Sequence, residues 1–199
     1  MNVTEEEYKM YNALQYSHQL LKQQVQKNPQ GLFIDATLGN GHDSAFLLSL
    51  KDFTGSLIGF DIQEIAIQNS KKRIESLEHS TKASYKFILD SHDNVSDYID
   101  DNLVQGAIFN LGYLPGGDHN VTTEFPSTFK AVQDILDNLA LYGQIILVIY
   151  SGHDNGMTEK TKLFEKLEKL PQEKYQVLAY QFINQINHPP MLLIIERIR

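Results

Sequence analysis

Residues 35–43 read DATLGNGHD and follow the apolar run LFI at residues 32–34. The apolar run predicts a buried strand that ends on Asp35. Gly39 and Gly41 then allow the backbone to turn tightly and to approach a ligand closely, because neither residue carries a Cβ. The stretch therefore predicts a strand, a turn that binds a small molecule, and a helix, which together open a nucleotide-binding α/β fold.

Two residues distinguish this loop from a loop that binds a nicotinamide dinucleotide. The dinucleotide fingerprint has a third glycine at the position that Ser44 occupies here. Asp35 would repel a pyrophosphate, whereas its charge suits the cationic amino and sulfonium groups of S-adenosyl-L-methionine. The loop therefore favours S-adenosylmethionine as the cofactor.

The rest of the chain alternates between strand-like and helix-like apolar patterns. Strands are predicted at 31–36, 56–61, 84–89, 103–111, 143–150, 175–183 and 190–198. Helices are predicted at 42–51, 64–78, 127–140 and 157–170, with a short one near 94–100. The loop between the last two strands is too short for a crossover helix, so the final strand should return antiparallel. These features predict an α/β protein with the Rossmann-like fold of class I S-adenosylmethionine-dependent methyltransferases, built on a seven-stranded sheet.

We expect a single methyltransferase domain over residues 1–199. Residues 1–30 form an N-terminal helix in this interpretation, and residues 31–199 form the Rossmann-like core. Thr4 and Glu7 have the spacing of a capping box that would begin the helix.

The expected cofactor site extends over the first three strand ends. Asp61 ends the second strand twenty residues after Gly41, where an acid can accept hydrogen bonds from both ribose hydroxyls. Asp61 could instead cap the following helix, and His92 could be an ordinary loop histidine. The predicted cofactor-binding residues are Asp35, Thr37, Gly39, Asn40, Gly41, His42, Asp43, Asp61, Ile62, Gln63, Ser91 and His92.

The fourth strand ends on the predicted catalytic residues, Asn110, Leu111, Gly112 and Tyr113. Enzymes that methylate the exocyclic amines of nucleobases carry an acid- or Asn-Pro-Pro-aromatic motif at this place. The Asn110 side-chain carbonyl and the Leu111 backbone carbonyl could accept the hydrogens of an amine, and Tyr113 could stack on a base. The glycine-rich loop that follows supplies predicted substrate-binding residues, with two more after the fifth strand: Leu114, Pro115, Gly116, Gly117, Asp118, His119, Tyr150 and His153. Asp118 and His119 are also the candidate bases.

Composition narrows the class of protein. The chain has 199 residues and no cysteine, which excludes a disulfide framework, a thiolate zinc site and a cysteine nucleophile for attack on a pyrimidine ring. The acidic N-terminus does not read as a secretory signal, and no apolar stretch has the length of a bilayer span. We therefore expect a cytoplasmic protein with no membrane partner, and the spacing of histidines and carboxylates predicts no metal.

The net charge of −8 argues against a large nucleic-acid footprint. It does not exclude recognition of a short loop or of one extruded nucleotide. Two lysine-rich runs, at 71–73 and 160–169, have helical spacing and are typical of solvated helix faces.

Six stretches of the chain together resemble one family. They read SHQLL, DATLGNGHDS, GFDIQ, SHDN, FNLGYLPGGDH and YSGHDNG. The resemblance is to the small bacterial proteins described as ribosomal RNA methylases, some of which, in Gram-positive bacteria, are understood as tRNA methyltransferases. It covers residues 16–199, and the one departure is Ser44, where the family pattern has threonine.

The resemblance implies S-adenosylmethionine as the methyl donor and the aminomethyl nitrogen of 5-aminomethyl-(2-thio)uridine, at wobble position 34 of tRNA, as the acceptor. It also implies that His18 lies in the substrate pocket. Recognition centred on the anticodon stem-loop, with its bases splayed and stacked, would agree with the acidic net charge. The sequence does not decide whether the protein forms a homodimer in which two weakly basic patches bind RNA together.

Three other functions remain to be compared with this one. A ribosomal RNA base or a small-molecule amine could replace the tRNA acceptor. The chain could also be a non-catalytic nucleotide-binding module, although such a module has no need of the motif at 110–113. A nicotinamide-dependent reductase fits least, because of Asp35 and Ser44.

Overall fold

The computed structural model describes residues 10–77, 81–100, 102–112, 122–150, 154–186 and 189–199, with the backbone alone at 154 and 155. The helices are α1 (Ala13–Lys27), α2 (His42–Ser49), α3 (Glu64–Glu75), α4 (Ser96–Ile99), α5 (Phe125–Asp137) and α6 (Asp154–Leu167). The strands are β1 (Leu32–Asp35), β2 (Ser56–Asp61), β3 (Ser84–Leu89), β4 (Val104–Leu111), β5 (Leu139–Ile149), β6 (Tyr175–Tyr180) and β7 (Met191–Arg197).

The strands form one seven-stranded sheet in the order β3-β2-β1-β4-β5-β7-β6. Strands β3, β2, β1, β4 and β5 pair in parallel. Strand β7 pairs antiparallel with both β5 and β6. The predicted seven-stranded α/β architecture with an antiparallel last strand is therefore confirmed. The chain order reverses between β1 and β4, and a ligand crevice forms beyond the carboxyl ends of strands at such a point.

Apolar side chains cover the sheet on both faces. On β1, Ile34 packs into one cluster with residues of α4, α5 and α6, whereas Phe33 packs into a second cluster with residues of α1 and α2. On β5, residues 145–149 alternate between the same two clusters and all are buried. This double burial explains why β5 reads as a nearly continuous apolar run.

Helix α1 is anchored to the sheet by a buried polar pair. The Gln105 Nε2 on β4 donates to the Gln24 Oε1 on α1 at 2.7 Å, and both residues are buried. Leu20, Leu21 and Val25 pack beside this pair in the second cluster. The anchoring fixes the face of α1 that carries His18.

The start of α1 differs from the prediction. The helix begins at Ala13, where Asn12 and Gln15 form a capping box through reciprocal hydrogen bonds of 2.8 and 3.1 Å. The prediction that one helix runs from Thr4 is wrong at residues 10–12, which are not helical; Thr4 and Glu7 lie outside the described residues. An Asn-x-x-Gln pair satisfies orphan N–H groups as a Thr-x-x-Glu pair does, so two capping signals compete in the sequence.

None of the helices in the described part of the chain is both long and apolar enough to cross a membrane.

Candidate active site

The candidate residues meet at one edge of the sheet. Asp35, Asp61 and Asn110 lie at the carboxyl ends of β1, β2 and β4, and His92 follows β3. Because these strands are parallel, their carboxyl ends share an edge, and β1 and β4 flank the point where the chain order reverses.

The loop between β1 and α2 has the backbone conformation that its glycines predict. Gly39 and Gly41 have φ values of 52° and 73°, in the left-handed region. A Cβ on Gly41 would lie 2.9 Å from the Cα of Ser70, and the Ser70 hydroxyl donates to the Gly39 carbonyl at 3.1 Å. The loop is therefore pressed against α3 and shaped before any ligand binds.

Asp35 is a buried acid, and its two carboxyl oxygens differ in their hydrogen bonds. Its side chain is 1% exposed, and the Ser44 hydroxyl donates to its Oδ2 at 2.7 Å. Burial, together with the charge of Asp43, raises the pKa of Asp35 to about 7; the Ser44 hydrogen bond and the nearby Thr37 N–H oppose the shift. Its Oδ1 makes no hydrogen bond of ordinary geometry within the described residues. A buried carboxylate oxygen of this kind fits a cationic ligand group.

Asp61 connects the glycine loop to the residue that precedes α3. Its Oδ2 accepts from the Gly39 N–H at 2.8 Å and its Oδ1 from the Gln63 N–H at 2.9 Å. Burial raises its pKa, although these backbone hydrogen bonds lower it. Each carboxylate oxygen has a second lone pair, which leaves acceptors for ribose hydroxyls. Ile62 beside it is 59% exposed, as an apolar residue that packs on adenine would be.

His92 presents a buried acceptor at the end of β3. Its Nδ1 lies 3.0 Å from the Ala36 carbonyl and therefore carries the proton. Burial lowers its pKa, so the ring is neutral at pH 7 and Nε2 is an acceptor. Nε2 is buried and has no hydrogen-bond partner in the described ranges. Ser91 precedes it, with its backbone N–H bound to Asp90.

Asn40 and His42 face α3. The Arg73 Nε donates to the Asn40 carbonyl at 2.6 Å, and its Nη2 lies 3.1 Å from the His42 Nε2. Burial and the charge of Arg73 lower the pKa of His42. Asn40, Asn69, Lys72, Arg73 and Ser76 line an open cleft of about 420 Å³ on this side. These contacts were not predicted from the sequence, and only the basic run 71–73 gave a signal for them.

The acceptor side is built around Asn110. The Thr37 hydroxyl accepts from its backbone N–H at 2.6 Å, and its Nδ2 donates to the Asp43 Oδ2 at 2.5 Å. The other oxygen of Asp43, Oδ1, lies 2.6 Å from the His18 Nε2. The structure thus brings His18 to the end of β4, a position that helix periodicity alone could not indicate.

Two backbone carbonyls of the predicted catalytic stretch already have partners. The Leu111 carbonyl accepts from the Tyr150 N–H at 3.3 Å, and the Gly112 carbonyl accepts from the Thr123 N–H at 3.0 Å. Tyr150 lies against Gly112, and burial followed by the charge of Asp43 raises its pKa. The Leu111 carbonyl keeps a second lone pair beside this hydrogen bond, so it and the Asn110 amide oxygen both stay predicted acceptors for substrate hydrogens.

Several predicted residues lie outside the described residues: Tyr113, Leu114, Pro115, Gly116, Gly117, Asp118, His119 and His153. Across the described ranges, no three histidine, cysteine or acidic residues are grouped as a metal site.

Comparison with known proteins decides the family. A family model described as "Putative rRNA methylase" matches residues 57–196. The chain belongs to this family. The predicted resemblance is confirmed.

Three relatives of this rRNA methylase family member show how far the likeness extends. A "putative rRNA-methylase" from Clostridium thermocellum superimposes with a TM-score of 0.86 at 39% identity, over 95% of this chain and 99% of that one. A "putative methyltransferase" from Streptococcus mutans, solved in complex with SAH, has a TM-score of 0.83 at 33% identity, with the same coverage. The chloroplastic tRNA (mnm(5)s(2)U34)-methyltransferase of Arabidopsis thaliana is 29% identical over 93% of this chain and 69% of that protein.

The family and the geometry of the site together make this protein a methyltransferase that uses S-adenosylmethionine. The unpaired oxygen of Asp35 suits the cationic end of that cofactor, and Asp61 and His92 offer acceptors for its polar groups. The positive φ values of Gly39 and Gly41 keep the loop open to a close approach. The residues present therefore fit the cofactor.

Proposed function

We propose that this family member methylates the aminomethyl nitrogen of 5-aminomethyl-(2-thio)uridine at wobble position 34 of tRNA, giving 5-methylaminomethyl-(2-thio)uridine. The Arabidopsis relative, named for that nucleoside, supports the choice of acceptor. The observation that carries the proposal is the orientation of the Asn110 amide at the end of β4.

The side-chain nitrogen of Asn110 already donates a hydrogen bond, and its side-chain oxygen is available as an acceptor. The Nδ2 donates to Asp43, and a carboxylate can pair only with the N–H side of an amide. The Oδ1 can therefore accept a hydrogen from an amine. Such a hydrogen bond turns the nitrogen lone pair towards the methyl donor, and this alignment is what an N-methyltransferase requires.

The amine must be neutral when it reacts. An alkylamine with a pKa of about 10 requires roughly 4 kcal/mol to lose its proton at pH 7. The partly buried crevice lowers this cost, because desolvation disfavours the ammonium form. When bound, S-adenosylmethionine supplies an electrophilic methyl group, and its transfer to the amine releases S-adenosylhomocysteine and one proton.

Tyr150 provides an aromatic surface beside the acceptor position. It is 38% exposed, and its backbone N–H donates to the carbonyl of Leu111, the residue after Asn110 at the end of β4. Stacking of a nucleobase on a tyrosine ring contributes about 1–3 kcal/mol. A base extruded from a splayed anticodon loop could stack there without an extended basic groove.

The test uses methyl-labelled S-adenosylmethionine and three RNA pools. One tRNA pool carries 5-aminomethyluridine at position 34, a second tRNA pool lacks all wobble modification, and the third is ribosomal RNA. Nucleoside mass spectrometry should find label in the first pool alone, as 5-methylaminomethyluridine. Label in ribosomal RNA, or none in the first pool while cofactor binding is intact, would contradict the proposal.

Asn110→Ala is the matched variant. It should bind S-adenosylmethionine as the wild type does and transfer methyl groups about 10²-fold more slowly, since misplacing a reacting group costs about that much.

A further inference from the structure

Asp43 joins three elements at the candidate active site. It lies in the first turn of α2, is 7% exposed, and binds His18 on α1 and Asn110 on β4. Each of its oxygens accepts from one partner, at 2.6 and 2.5 Å. Although each oxygen keeps a second lone pair, the buried side chain offers little surface to a cofactor.

The two partners must both be donors. An ionised carboxylate accepts hydrogen bonds and donates none. The His18 Nε2 and the Asn110 Nδ2 therefore both carry hydrogen towards Asp43. This requirement places a hydrogen on the His18 Nε2 and selects one of the two orientations of the Asn110 amide.

The imidazole of His18 is held by packing as well as by Asp43. Its ring stacks on Phe46 of α2, with centroids 4.0 Å apart and planes 12° from parallel. The ring cannot turn away from Asp43 without losing this contact. His18 thus holds the Oδ1 of Asp43 in place, and the Oδ2 orients the Asn110 amide.

We propose that Asp43 is a positioning residue for the methyl acceptor and not a ligand of the cofactor. It keeps the Asn110 oxygen directed at the substrate amine, and the His18–Phe46 stack keeps Asp43 in place. This inference rests on the proposed function, since it assigns a task to the amide that orients the amine. It differs from our expectation that Asp43 binds the cofactor, and the affinity of an Asp43 variant for the cofactor decides between the two.

An exchange of the amide and the acid tests this proposal. Asn110→Asp alone sets two carboxylates in contact, so kcat should fall about 10²-fold. Combining it with Asp43→Asn restores an N–H donor between positions 43 and 110, and His18 can still donate to the new amide oxygen. The kcat of the double variant should be at least tenfold higher than that of Asn110→Asp. A double variant no faster than Asn110→Asp would overturn the proposal.

Cofactor affinity separates positioning from cofactor binding. Asp43→Leu removes both hydrogen bonds at similar volume, and it should lower kcat about 10²-fold while changing the calorimetric affinity for S-adenosylmethionine less than about threefold. The titration is made at pH 8.5, where Asp35 is ionised with or without the charge of Asp43. A tenfold loss of affinity would identify Asp43 as a cofactor ligand. The binding isotherm also shows that the variant is folded.

One measurement is independent of the RNA substrate. In the wild type, the side-chain amide protons of Asn110 should be protected from exchange with water, and Asp43→Leu should remove that protection. The resonances are assigned by their loss in Asn110→Asp. Equal exchange in the two proteins would overturn the positioning role even if wobble uridine proved not to be the acceptor. Absence of methyl transfer by the wild type, with protection as expected, would count against the proposed function alone.

Discussion

At the residue scale, we expect Asp35 to make the affinity for the cofactor depend on pH. Its pKa of about 7 makes the acid mostly protonated at pH 6 and mostly ionised at pH 8. The ionised form attracts a cationic cofactor, so the affinity for S-adenosylmethionine should rise about tenfold between pH 6 and pH 8. Calorimetric titrations at three pH values measure this. Burial lowers the pKa of His42 and of His92 below the ordinary value of 6.5, so both rings are neutral at pH 7 and above.

Asp35→Asn is the control for this pH dependence. The amide keeps the shape and can accept from Ser44, but it does not ionise. Its affinity for S-adenosylmethionine should be weaker than that of the wild type at pH 8 and should not vary between pH 6 and pH 8. A wild-type affinity that is flat over the same range would show that Asp35 does not meet the cationic end of the cofactor.

Stability should change with pH in the opposite direction. The pKa of Asp35 is about 7 in the folded protein and 3.8 as its ordinary value, so the folded state holds the proton between these limits. The stability linked to this proton is present below about pH 4 and is lost as pH rises through 7. Urea unfolding of the wild type should show that slope, and Asp35→Asn should show less of it.

Asp61 provides a second prediction at the residue scale. Its carboxylate already accepts from Gly39 and Gln63, and the ribose hydroxyls would add charge-assisted hydrogen bonds. Such bonds contribute about 1.5–3 kcal/mol each, so Asp61→Asn should weaken S-adenosylmethionine binding about 10- to 100-fold. Glu75→Gln, an exposed change on α3, is the matched control and should leave the affinity unchanged. An unaltered affinity in Asp61→Asn would remove the ribose assignment.

At the element scale, a buried acid joins α5 and α6 to the acceptor side. Glu159 on α6 is 4% exposed, and it accepts from Thr128 on α5 at 2.7 Å and from Thr123 at 2.9 Å. Thr123 in turn donates its N–H to the Gly112 carbonyl. The two helices are therefore connected to the end of β4 through one carboxyl group.

Glu159→Ala should destabilise the protein by about 2–4 kcal/mol, because it leaves a cavity and the buried Thr128 hydroxyl without this partner. Glu159→Gln keeps one acceptor oxygen and should cost less. Burial raises the pKa of Glu159, so the stability linked to its proton is lost as pH rises through the folded value, and the difference between wild type and Glu159→Gln should shrink at high pH. Urea unfolding at pH 5 and pH 8 measures both effects. Equal losses for the two variants would contradict the hydrogen-bonding role.

Most elements could be predicted from the sequence because their patterns are local. Strands β2 and β3 have the predicted bounds 56–61 and 84–89, since Ser56 and Asp61 bound the first and Ser84 and Asp90 bound the second. Strand β5 begins at Leu139, four residues earlier than predicted. Its pairing with β4 shifts register between Val104 and Gly106, and Tyr142 has a φ of 62°. Such an irregularity depends on the neighbouring strand and leaves no periodic signal.

The strand ends that carry the site could be predicted, but the contacts between them could not. Asp43 and His18 are 25 residues apart, and Asp43 and Asn110 are 67 apart. These pairs exist because α1 packs on the same face as α2 and because β4 lies beside β1. Ser44 illustrates the same limit. Its hydroxyl, in the first turn of α2, donates to Asp35, and the sequence shows only that the dinucleotide glycine is missing there.

At the scale of the whole molecule, the sheet places the predicted cofactor residues and the predicted acceptor residues at different strand ends along one edge. The ends of β1, β2 and β3 carry Asp35, Asp61 and His92, which fit the cofactor. The end of β4 carries Asn110, and Tyr150 follows β5. The order β3-β2-β1-β4-β5 therefore places the proposed methyl acceptor on the far side of the reversal point from the nucleoside of the cofactor. For the proposed function, we expect methyl transfer across the β1–β4 crevice.

The net charge of −8 leads to a prediction about RNA binding by the proposed tRNA methyltransferase. A protein that contacts few phosphates releases few counterions, and the logarithm of affinity falls with a slope of about −0.7 per contacted phosphate for single strands. We expect a slope shallower than about −3 for an anticodon stem-loop carrying 5-aminomethyluridine, measured by fluorescence anisotropy from 50 to 300 mM NaCl. The unmodified stem-loop is the control. It should bind more weakly but with the same slope, because the pocket recognises the aminomethyl group and this group adds no phosphate contact. A slope of about −6 or steeper would show an extended phosphate footprint, and recognition would then depend on the lysine-rich faces of α3 and α6.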